Sequence, residues 1–99
     1  MAKYLEPHDL RAWIYLDEGV DDEKIDICLS SAETAVDNDL DKASLDDYVN
    51  ADTGKIPAPL FEAILISAGQ SYAAPDDMLR SGVTLMRRYD RLIKPYVRH

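Results

Sequence analysis

Ile25, Cys28, Leu29, Ala32 and Val36 recur at steps of three, one, three and four residues, which puts all five on one side of an α-helix. No stretch alternates apolar and polar residues with the period of two that a half-buried strand needs. The expected fold is therefore all-α, and 99 residues suffice for one domain. Punctuation residues divide it into four main helices. Pro7 opens a first helix with Leu10, Trp13 and Ile14 on one face, and Asp17-Glu18-Gly19 ends it. Asp21 or Asp22 caps the striped second helix, which breaks near residues 39–43. Ser44-Leu45-Asp46-Asp47 then caps a short helical piece near 44–50.

Asp52-Thr53-Gly54-Lys55 is turn chemistry, and Pro59 sits in the first turn of a third helix. Its inward face is Leu60, Ala63, Ile64, Ser67, Ala68 and Tyr72, and Pro75-Asp76-Asp77 closes it. A fourth helix runs from about Ser81 through Met86, Tyr89, Leu92 and Ile93 to a stop at Pro95. Residues 1–95 thus form the helical domain and 96–99 a short C-terminal tail, too poor in apolar residues to be held down. The expected core is Leu10, Trp13, Ile14, Ile25, Cys28, Leu29, Val36, Ile64, Leu65, Tyr72, Met86 and Leu92.

Charge is unevenly placed. The net charge is −8, yet from residue 80 onward six basic residues face Asp90 alone. The body before them is correspondingly more acidic, which disfavours nonspecific binding to DNA or acidic lipid. The longest uncharged stretch, residues 63–74, is shorter than a membrane-spanning helix, and no membrane partner is expected. A lone cysteine excludes an internal disulfide framework and fits a reducing compartment.

The residues offer little site chemistry. Asp37-x-Asp39-x-Asp41 copies the first ligands of a calcium loop, but Lys42 and Tyr48 stand where the loop needs glycine and glutamate. Cys28 lies on the apolar stripe, where core filling explains it better than nucleophilic work. His8 and His99 form no ligand pair with it at a recognisable spacing. Gly54-Lys55 lacks the flanking residues of a phosphate-binding loop. No catalytic residue, metal or cofactor is expected, and the chain reads as a non-enzyme.

Arg87, Arg88, Arg91, Lys94 and Arg98 remain, with Arg87, Arg91 and Lys94 on one side of a helix. Contact with an acidic protein surface, plain solubility and DNA readout are the three readings. The acidic body and the lack of a helix-turn-helix pattern weigh against the last.

The opening Leu5-Glu6-Pro7-His8-Asp9-Leu10-Arg11-Ala12-Trp13-Ile14 resembles the first helix of the small helical head–tail connector (adaptor) proteins of tailed bacteriophages. The acidic stretch from Asp17 to Asp22, the Ile25…Leu29…Ala32…Val36 helix and the proline-started helix from Pro59 to Tyr72 follow in the family's order. The ending Gly82-Val83…Leu92-Ile93-Lys94-Pro95-Tyr96-Val97-Arg98 is similar to the family's closing Gly-Val…Leu…Pro-Tyr-Arg, with Val97 intervening.

The resemblance implies a structural subunit of a homo-oligomeric ring beneath the phage portal protein. A downstream neck or tail-completion protein would attach to it, and DNA would pass through without sequence readout. The location implied is the virion neck, after assembly in the host cytoplasm. Arg87, Arg88, Arg91, Lys94, Tyr96 and Arg98 are the expected contacts to a neighbouring subunit or the portal, with the tail docking on an adjacent ring. Asp37, Asp39 and Asp41 are candidates for lining the channel, where carboxylates would repel the phosphate backbone. The alternative is a small acidic DNA mimic that blocks a host nucleic-acid enzyme, which the basic C-terminal end disfavours.

Overall fold

Proline at position 7 leaves no hydrogen bond unmade at a helix start, and α1 (Pro7–Ile14) begins there. The computed structural model describes residues 2–14, 22–72 and 87–98. α2 (Asp22–Asp39) opens with Asp22 and Glu23 in its first turn, where negative charge suits the helix dipole. It stops without a glycine: Asp41 takes the left-handed conformation at φ 60°, which a short polar side chain tolerates. A one-turn 3-10 helix, Leu45–Tyr48, follows. The Ser44 N–H donates to the Asp47 carboxylate at 2.9 Å, closing the start of that turn. α3 (Ala58–Tyr72) carries Pro59 in its first turn as expected. Residues 87–93 are helical and are called α4. They end in a second 3-10 turn, Lys94–Tyr96, which contains Pro95.

The fold is an all-α single domain. α2 packs mainly against α3, and α1 lies across both. The apolar stripe of α2 is buried in full: Ile25, Leu29 and Val36 are sealed from solvent, with Cys28 and Ala32 beside them. Leu60, Ala63, Ile64, Ile66 and Ala68 of α3 meet it, and Leu10 of α1 closes the stack. Each fully buried leucine or isoleucine contributes roughly 1.5–3 kcal/mol.

Leu40 and Leu45 are also fully buried, so the acidic segment after α2 is anchored from within. Ile14, Tyr72 and Leu92 flank this core half-buried. The expected closures at Asp17–Gly19 and Pro75–Asp77, the cap at Asp21, the start at Ser81 and the place of Met86 lie outside the described residues.

Two expectations are corrected. Trp13 is 38% exposed rather than in the core. Leu10 and Ile14 take the inward direction of α1, and the indole instead lies over α3, where a Cβ on Gly69 would sit 3.4 Å from Trp13 Cδ1. Arg11 is buried in its place, with Nη2 paired to the Asp22 carboxylate of α2. The described part of the tail, residues 96–98, is also not without partners. These residues fold back onto the end of α2, held by main-chain bonds and by the half-buried packing of Tyr96 and Val97 against the core.

Candidate functional site

The described ends of the chain converge on one region, residues 33–48. At the N-terminal side, residues 3–5 wrap a buried carboxylate. Glu33 sits four residues after Leu29 and three before Val36, so the helix period turns it inward. Its oxygens accept the N–H groups of Lys3 at 2.7 Å, Tyr4 at 2.9 Å and Leu5 at 2.9 Å. A buried carboxylate with three main-chain donors is fully satisfied, and Leu5 is buried beside it. Asp46 adds an outer clasp, accepting from the Tyr4 hydroxyl and from Lys3 Nζ at 3.1 Å. The Tyr4 phenol, followed by Lys3, holds the Asp46 carboxyl below the usual carboxylate range.

At the C-terminal side the contacts are of another kind. Arg98 N–H donates to the Leu40 carbonyl at 3.2 Å, and Lys42 N–H donates to the Arg98 carbonyl at 2.8 Å. These two bonds make a single parallel bridge between Asp41 and Arg98. The Tyr48 hydroxyl donates to the Tyr96 carbonyl at 2.6 Å, and the two rings meet edge to face with centroids 5.1 Å apart. The Arg98 guanidinium lies 5.5 Å from the Tyr48 ring centroid. Just before this arm, α4 is rooted by Tyr89, which is buried and donates its hydroxyl to Asp39 at 2.5 Å. Burial, then that carboxylate, push the Tyr89 phenol well above its ordinary range.

The expected interface residues divide accordingly. Arg87, Arg91 and Lys94 are exposed, at positions spaced four and three residues apart along α4 and its continuation. Arg88 is paired with Glu62 of α3. Tyr96 and Arg98 are engaged with Tyr48 and the 40–42 edge.

The expected channel residues also have tasks within the chain, although Asp39 and Asp41 are exposed. Asp37 accepts the Leu45 N–H at 2.8 Å, and Asp39 accepts from Tyr89. Asp41 supplies the left-handed residue that ends α2. A groove of about 390 Å³ lies between residues 3–4 and the 45–48 turn, but Glu33, Asp37 and Asp46 on its walls already hold protein donors.

Sequence reading missed Glu33, Tyr48, Leu40 and Leu45. Glu33 and Leu40 were visible as continuations of the α2 stripe at steps of four. Nothing local marks Tyr48, whose partner is 48 positions away. Cys28 is buried, and burial raises its thiol, as suits a packing role. Among the described residues no group of three metal-ligating side chains converges, and no helix is long and apolar enough to cross a membrane. Compared with family models, curated proteins and solved structures, the chain matches none.

Proposed function

We propose that this chain is a structural subunit of a phage head–tail connector. Its copies form a ring under the portal protein, let DNA pass, and carry a downstream neck or tail-completion protein. The observation that supports this reading is the separation of charge on an all-helical body. Arg87, Arg91 and Lys94 are exposed on α4 and its continuation, while exposed acids at Asp22, Glu23, Asp46, Asp47 and Asp52 come from earlier elements of the chain. In a head-to-tail ring each basic end meets an acidic face of the next copy, a heterologous contact that closes when the rotation divides a full turn. The order of motifs along the chain supports the same assignment.

Electron microscopy of the protein mixed with its own portal tests it. The expected result is a ring of this chain stacked coaxially on the portal. A portal left bare, together with inhibition of a nuclease by the same preparation, would replace the connector with the DNA mimic.

The channel role of Asp37, Asp39 and Asp41 is part of the proposal and has its own test. Because Asp37 and Asp39 accept structural hydrogen bonds, substitution by asparagine is the informative change, since it keeps an acceptor oxygen and removes the charge. In particles carrying all three asparagines, DNA ejection should slow, and more so at low salt. Unchanged ejection from complete particles would place the segment on the outer surface.

A further inference from the structure

We propose that the 40–42 edge and Tyr48 form a docking site that accepts residues 96–98 of a second copy of this chain, as well as the chain's own. The proposal goes beyond the connector reading and does not depend on it.

Four features of the docked arm support exchange. The main-chain pairing at Leu40, Lys42 and Arg98 uses groups that are identical whichever copy supplies the arm. Release of the arm uncovers the half-buried side chains of Tyr96 and Val97 but no fully buried residue, and Arg98 is exposed. The helix that carries the arm and the segment that receives it are oppositely charged. Residues 37–47 hold five aspartates against Lys42 alone, and residues 87–98 hold five cations against Asp90 alone. Finally, the arm leaves α4 through the short Lys94–Tyr96 turn and then runs extended, with Val97 at φ −71° and ψ 132°. A short turn joining a rigid helix to an extended segment is the kind of hinge at which identical elements swap between copies.

The geometry also restricts how copies can meet. The three arm residues, 96–98, span about 10 Å when extended. The receiving edge must therefore lie beside the donor's α4 terminus, which brings Arg87, Arg91 and Lys94 of the donor toward the aspartates around the receiving edge. Exchange remakes the bonds at Leu40, Lys42 and Tyr48, while the Val97 N–H bonds to Ile93 and Lys94 open with the turn. The chain's own arm competes at an effective concentration on the order of millimolar, so association should require high concentration or a template that aligns the copies.

Complementation between two single-defect chains tests the proposal. The acceptor is the chain with residues 96–99 removed, which opens the docking site. The donor is the Tyr48→Ala chain, which keeps its arm and has a damaged site. Circular dichroism establishes that each is folded. Should either fail to fold, the full-length Tyr96→Ala/Arg98→Ala chain serves as acceptor and Tyr48→Phe as donor.

By sedimentation, each chain alone should remain a monomer and the mixture should form a hetero-complex. A peptide of residues 94–99 should dissolve that complex, and rising salt should weaken it. Absence of a complex in the mixture overturns the proposal, as does a complex that the peptide leaves intact. No portal is present, so the outcome is separate from the test of the connector.

Discussion

The two described ends of this chain lie against the same short stretch, residues 33–48, yet they are held by opposite means. The N-terminal segment gives up its main-chain N–H groups to a buried side chain, Glu33, and inserts a buried leucine. The C-terminal arm pairs main chain with main chain, rests a ring edge on Tyr48 and buries none of residues 94–98. A buried carboxylate cannot lose its donors without a large desolvation penalty, whereas a half-buried main-chain bridge loses less when it opens to water. The first attachment belongs to the fold, and the second is fit for exchange.

The sharpest way to break this contrast is Glu33→Ala. It strips the acceptor from three N–H groups next to buried Leu5 and should cost about 3–5 kcal/mol in urea unfolding. A loss below about 1 kcal/mol would make the two ends equivalent.

Next comes the root of the arm. Tyr89→Phe removes the bond to Asp39 and should cost about 1–2 kcal/mol at neutral pH. A phenol raised in the folded state contributes stability that is intact below its ordinary value of 10.0 and is lost as pH climbs through the folded value. Tyr4 is raised as well, chiefly by burial and then by Asp46. The Tyr89→Phe substitution should therefore remove part, not all, of the alkaline slope seen in a pH series of melts.

Tyr48→Phe should cost about 1 kcal/mol and act locally. Hydrogen exchange should quicken at the Lys42 and Arg98 amides while those of Lys3, Tyr4 and Leu5 keep their protection. Equal loss of protection at both ends would show them to be one cooperative unit.

The smallest effect is expected at Asp46, on the surface. A carboxyl held low contributes stability that is present above its ordinary value of 3.8 and is lost as pH falls through the lower folded value. Asp46→Asn should lower neutral stability slightly, leave stability at the acid end unchanged, and so flatten the profile between the two.

Much of the fold was legible because it is local. The α2 stripe, the proline starts of α1 and α3 and the stop before Pro95 all rest on residues within a few positions of each other. Reading failed where partners are distant. Trp13 has the composition of a core residue, but α3 offers it a glycine to lie upon rather than a hole to enter. The arm was expected to be loose because its apolar content is low, and the bonds that hold it carry no sequence signature. The three aspartates read as one acidic group, although each has a separate structural duty that appears only when Leu45, Tyr89 and Arg98 are brought beside them. For the candidate site, the cationic residues could be named in advance, but not their division into exposed and engaged sets.

The bond from Tyr89 to Asp39 spans 50 positions, and that from Tyr48 to Tyr96 spans 48. During synthesis at roughly 5–20 residues per second, the 39–48 segment leaves the ribosome seconds before the residues that complete it. Over that interval α2 and the start of α3 can pair, since their contacts are closer in sequence, while Asp39 and the Tyr48 hydroxyl wait for Tyr89 and Tyr96. Loop-closure entropy makes such long-range bonds among the slowest to form. Translation speed across residues 49–89 therefore sets how long these two groups stay open to the tyrosines of a neighbouring nascent chain.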